Sequence, residues 1–219
     1  MREISENDPQ YILALCNAAN DLVGAAGGVC WRDNDSFQNI ALLRAGAFGW
    51  REAQTQFQLP YANRKPPDAR HDAATCGKYA KEADHKADKL CKQVGVPFEM
   101  QGHHEGLAQS FWKSYSAVYV EVGSFRVSWL LITLAGANRA LKKFSGGPGF
   151  VEHGGTDEAR ARADRDLALE KLSEATTDDG ERPHYERDEE LIYLARQAWA
   201  WMSSMVASYN ASRLKAMQN

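Results

Sequence analysis

Apolar residues recur at steps of three and four along nearly the whole chain, and no apolar–polar alternation runs longer than a few positions. That period belongs to amphipathic helices and leaves no material for a half-buried strand. Tyr11, Ile12, Leu15, Ala19 and Leu22 follow it behind an Asp8-Pro9 start, which offers a capping carboxylate and a proline at the first helical position. Gly27-Gly28 ends that helix. Asp35 caps a second helix to about Phe57, with Phe37, Ile40, Leu43, Ala47 and Trp50 on one side. Pro60 and Pro66-Pro67 fix a loop, and a third helix spans about Asp68 to Val94. The stretch from about Glu105 to Phe144 is dense in aromatic and aliphatic residues, with Gly123 bending or breaking it. Glycines between 146 and 155 mark a loop, Thr156 caps a charged fifth helix to about Ala175, and a last helix runs from about Glu186 to the end.

These signals predict an all-α fold, a bundle of five or six helices with a charged, glycine-flanked insertion. Residues 1–151 form the expected bundle core, 152–183 an acidic, mobile segment outside it, and 184–219 a helix completing the bundle. With 219 residues, 44 % apolar and 25 % charged, the chain has the balance of a globular domain, which excludes wholesale disorder, collagen and a disulfide scaffold. The uncharged run from Val127 to Asn138 is shorter than the roughly 20 residues of a bilayer span, so it reads as a buried core helix. The opening MREISENDPQ has no basic region followed by an apolar run, so no signal peptide is expected. Cys16, Cys30, Cys76 and Cys91 are far apart and form no CxxC pair, which argues for reduced, mostly buried thiols in a cytoplasmic protein and against structural zinc.

Charge is distributed unevenly. The formal net charge is −3, but residues 152–190 alone carry 14 acidic and 6 basic groups. Residues 61–95 carry 8 basic and 5 acidic groups, and residues 191–219 carry 3 basic groups and no acid. Such asymmetry raises nucleic acid as a partner despite a near-neutral average. The third helix sharpens the point. At about 100° per residue, His71, His85 and Lys89 fall within about 20° of Lys78, and Lys81 and Lys92 within about 60°. The opposite face is Ala73, Cys76, Ala80, Ala83, Ala87, Leu90, Cys91 and Val94, small and apolar. Arg64, Lys65 and Arg70 precede this helix in the loop. A backbone of regularly spaced phosphates is met by point cations at such spacing. Asp84 and Asp88 lie off the ridge centre, and only Glu82 interrupts it.

Catalytic patterns are weaker. Glu82 and His85 make an ExxH pair, but on the lysine face, where a metal ion is electrostatically disfavoured; the second such pair, Glu181 and His184, contains Pro183. His71-Asp72 lacks the earlier histidine a metal phosphohydrolase needs, and Pro66-Pro67 interrupts the Arg64–His71 spacing used by some helical ribonucleases. No phosphate loop and no GxSxG element occur. We therefore expect no catalytic residue, no metal site and no cofactor. The alternatives are a helical metal- or histidine-dependent enzyme using His71, His85, His103 and His104, and a plain protein-interaction bundle.

In the last helix, Leu191, Ala195, Ala198, Met202, Met205 and Tyr209 make a heptad-like seam. Trp201, Arg213 and Lys215 lie off it and are the candidate partner-binding residues. The segment 191–202, LIYLARQAWAWM, resembles the closing helix of the small helical subunits of CRISPR effector complexes, where a tyrosine and alanines lead into an aromatic cluster. The resemblance implies a non-catalytic bundle that stacks along a ribonucleoprotein filament in antiviral defence and contacts guide RNA or DNA strands through a basic face. The expected nucleic-acid-binding residues are Arg64, Lys65, Arg70, His71, Lys78, Lys81, His85, Lys89 and Lys92. The expected partners are single-stranded or guide RNA and other protein subunits, with no membrane.

Overall fold

In the computed structural model, the described residues are 9–26, 36–59, 72–97, 101–142, 144, 156–175 and 188–218. They form seven α-helices and no strand: α1 Pro9–Ala25, α2 Ser36–Gln58, α3 Ala73–Val94, α4 Gln101–Val122, α5 Phe125–Lys142, α6 Thr156–Glu174 and α7 Glu189–Met217. The count exceeds five or six because the long apolar stretch is two helices, divided at Gly123. That residue has φ 67°, a left-handed conformation that costs any side chain with a Cβ.

α3 begins later than the sequence signals suggest. Its N-cap is Asp72, whose carboxylate accepts a hydrogen bond from the Thr75 N–H at 2.7 Å. At the other end Gly95, at φ 74°, donates its N–H to the Cys91 carbonyl and stops the helix. Asp188 caps α7 in the same way as Asp72, accepting from the Leu191 N–H at 3.1 Å.

α5 explains the rest of the packing. Val127, Ser128, Trp129, Leu130, Leu131, Ile132, Leu134, Ala135, Gly136 and Ala137 are all buried, so this helix is apolar around its whole circumference and must be covered on every side. α4 and α7 cover it from the bundle side, and α6 packs along its remaining face. This corrects the expectation for the acidic segment. Within 152–183, the helix α6 is not an arm outside the core: Ala161, Ala168 and Leu172 are buried, and the latter two belong to the central apolar cluster. Glu158 is buried beside them, held by the Arg162 guanidinium at 2.6 Å.

The remaining neighbours are α1 with α2, α2 with α3, and α4 with α7. On α7 the seam is buried as expected at Leu191, Ala195, Ala198, Met205 and Tyr209, while Met202 is half-buried. Cys16, Cys76 and Cys91 are buried free thiols; Cys30 lies outside the described residues. The hydrogen bond with Cys76, and then burial, push the Cys16 thiol far above its ordinary range. No helix among the described residues is long and apolar enough to cross a membrane.

Candidate functional site

The inward face of α3 is Cys76, Ala80, Ala83, Ala87 and Cys91, all buried. Residues this small let α3 lie close along α2 and fix its rotation, because any turn about its axis would bury a lysine. The outward face is then determined. Lys78, Lys81, His85, Lys89 and Lys92 are all exposed, over a run of about 21 Å at 1.5 Å per residue. Lys86, at about 80° from Lys78, is exposed as well and widens the ridge on one flank.

The acidic residues of α3 are engaged. On one flank Arg44 of α2 donates to Asp84 at 2.9 Å and to Asp88 at 2.5 Å, and Arg51 donates to the second Asp84 oxygen. Burial opposes the Arg44 charge, yet the hydrogen bonds it donates to Asp88 and Asp84 outweigh that and hold the guanidinium above its ordinary value. The Arg44 and Asp84 side chains are 14 % and 24 % exposed, so this is not a freely solvated surface pair of negligible worth. Two carboxylates are thus turned toward α2 and matched there. Glu82 remains on the ridge and meets Lys78 at 3.8 Å, a solvated contact between two exposed groups.

Beside this ion-pair strip lies a cavity of about 290 Å³ lined by Arg44, Phe48, Arg51, Asp84, Asp88, Glu105 and Ala108. On the other flank a cavity of about 220 Å³ is lined by Asn20, Val23, Trp50, Tyr79, Glu82, Ala83 and Lys86. A third, of about 300 Å³, lies between α5, α6 and α7 against Trp129 and Trp199, and shares no lining residue with the ridge.

Of the other sequence candidates, Arg64, Lys65, Arg70 and His71 lie outside the described residues. Trp201 is half-buried against the core, and the Arg213 guanidinium lies over the Phe37 ring at 5.3 Å, so both are packed on their own chain. Lys215 is exposed. The two histidines with described side chains, His85 and His104, do not come together. His85 is exposed on α3, whereas His104 is buried, 3.1 Å from the Ser208 hydroxyl and 4.2 Å from the Tyr209 ring centre. The side chain of His103 lies outside the described residues. Among the described residues no group of three or more His, Cys, Asp or Glu side chains could hold a metal ion.

Two features escaped the sequence reading. Lys86 fell beyond the 60° window drawn around Lys78, although the same angular arithmetic contains it. The cavity at Asn20, Trp50 and Tyr79 depends on three helices meeting and left no local signal. Comparison with known protein families, curated proteins and solved structures finds no match for this chain.

Proposed function

We propose that the chain is a non-catalytic binding subunit that contacts a nucleic-acid backbone through the exposed face of α3 and works within a larger assembly. The class is that of the small helical subunits of CRISPR effector complexes, which the closing helix resembles. The observation that supports the reading is the charge of one face. Lys78, Lys81, Lys86, Lys89 and Lys92 are exposed together, while Asp84 and Asp88 are turned aside and matched by Arg44 and Arg51. The ridge therefore carries five lysines around Glu82, with Asp88, its side chain 45 % exposed, on one flank and held there by Arg44. Cations arrayed along about 21 Å of helix can neutralise several successive phosphates and release their condensed counterions.

A salt titration tests this. Four phosphate contacts on a single strand give a log–log slope of about −3, at roughly −0.7 per contact. Fluorescence anisotropy with labelled single-stranded RNA and DNA should show affinity falling on that slope, with little sequence preference. No binding to either strand at low salt would refute the reading.

A further inference from the structure

The 220 Å³ cavity beside the ridge has the composition of a nucleobase pocket. It opens where α1, α2 and α3 meet, and Lys86 belongs to both the ridge and the cavity wall. Trp50 and Tyr79 form its aromatic side, with ring centres 5.0 Å apart and planes tilted by 54°. Trp50 is 2 % exposed and anchors the pair, while Tyr79 is half-buried and lines the opening. Exposed Asn20 stands at the lip with a carboxamide, which both donates and accepts. The volume is below the roughly 300–1,000 Å³ of sites for drug-sized ligands, which suits one planar base rather than a whole nucleotide with its phosphates. The lining also holds Glu82, an acceptor for the amino or imino N–H of a base edge but one that keeps phosphate out of the cavity itself. An aromatic wall, hydrogen-bonding groups at Asn20 and Glu82 and a lysine at the rim match base face, base edge and a phosphate held outside the cavity.

We propose that this cavity takes one unstacked base of a single strand whose backbone runs along Lys78 to Lys92. The proposal rests on the backbone-binding reading and adds a base subsite to it. A base held there stacks against Tyr79 and pairs its edge with Asn20, with its phosphate within reach of Lys86. Stacking tolerates any base, so the subsite adds affinity for single strands without adding sequence preference. Duplexes, whose bases are paired and stacked, gain nothing from it.

The test compares a labelled ten-nucleotide single strand with an abasic oligomer of the same length and charge, on the wild-type chain and on Asn20→Leu. The substitution is at an exposed helix position, removes the carboxamide and fills the mouth of the cavity with an aliphatic side chain that offers no stacking face. The wild type should bind the natural strand roughly tenfold more tightly than the abasic one, the scale of one base stacked on an aromatic side chain. Asn20→Leu should lose that preference and keep its abasic affinity. Equal wild-type affinity for both oligomers, with the salt dependence intact, overturns the base pocket and leaves the ridge standing. A preference that survives in Asn20→Leu overturns the location. No binding of either oligomer overturns the backbone reading itself, and the pocket with it.

Discussion

Gly49 and Gly106 lie inside helices of the same bundle, yet the same substitution acts on them in opposite directions. A Cβ on Gly49 would come within 2.7 Å of the Trp112 ring atom Cζ2, with two further ring carbons closer still. Trp112 is fully buried, and its indole N–H donates to Glu52, so the ring is held in place. Nothing lies within 4 Å of the corresponding position on Gly106. Alanine gains about 1 kcal/mol over glycine in a helix interior, whereas overpacking a filled core costs about 1–3 kcal/mol. Gly106→Ala should therefore raise the urea midpoint, by about 0.5–1 kcal/mol in stability, and Gly49→Ala should lower it, by about 1–2 kcal/mol. Two midpoints moving the same way would mean that Trp112 does not pack against α2 as described. The ridge lysines were legible at this scale, because angular position on one helix is arithmetic. The partners of Asp84 and Asp88 were not: Arg44 and Arg51 are 33 to 44 residues away in sequence, and only packing joins them.

At the scale of elements, starts and stops were legible where a cap or a breaker acts locally. Pro9 and Gly123 each sit at an observed boundary; Gly95 and Asp188, which end α3 and begin α7, emerge only in the structure. α3 starts at Ala73 rather than at about residue 68, behind the Asp72 cap, which the approximate helical range did not single out. The role of α6 was illegible for a different reason. Its buried stripe, Ala161, Ala168 and Leu172, is made mostly of alanine set among charges, so composition points to solvent. The demand for a cover comes from α5, which has no polar side to leave exposed. Leu172→Ala measures this directly. Leu172 is 3 % exposed, and emptying such a site typically costs about 2–5 kcal/mol, against about 0.5 kcal/mol or less for a change on a solvated arm. We expect a loss of at least about 2 kcal/mol by chemical denaturation; a negligible change would detach α6 from the core.

For the whole molecule, burial sets the response to alkali. Burial holds the Tyr115, Tyr119 and Tyr209 phenols well above their ordinary value, helped at Tyr119 by its hydrogen bond to Asp21 at 2.9 Å. In the unfolded chain these groups ionise near pH 10. The buried Cys16 and Cys91 thiols, also held above their ordinary value, act in the same direction from about pH 8.5, where the unfolded thiols ionise. The unfolded state then sheds protons that the folded state keeps, so stability declines gently above about pH 8.5 and more steeply beyond about pH 10. Urea midpoints between pH 7 and pH 11 should show that steepening; a slope that does not increase beyond pH 10 would place these phenols in solvent.

The net charge of −3 does not describe the α3 face, because 14 of the 29 acids lie in residues 152–190 while five exposed lysines lie on α3. That face of α3 is the proposed binding surface. The most direct measurement is the affinity of Lys78→Glu/Lys81→Glu/Lys89→Glu/Lys92→Glu for single-stranded RNA, read beside its helical circular dichroism and urea midpoint. All four positions are exposed, and such changes cost about 0.5 kcal/mol or less each, so the fold should persist. Binding should be lost and the salt slope of about −3 should vanish with it. A folded variant that binds as tightly as the wild type, on the same slope, would contradict the account.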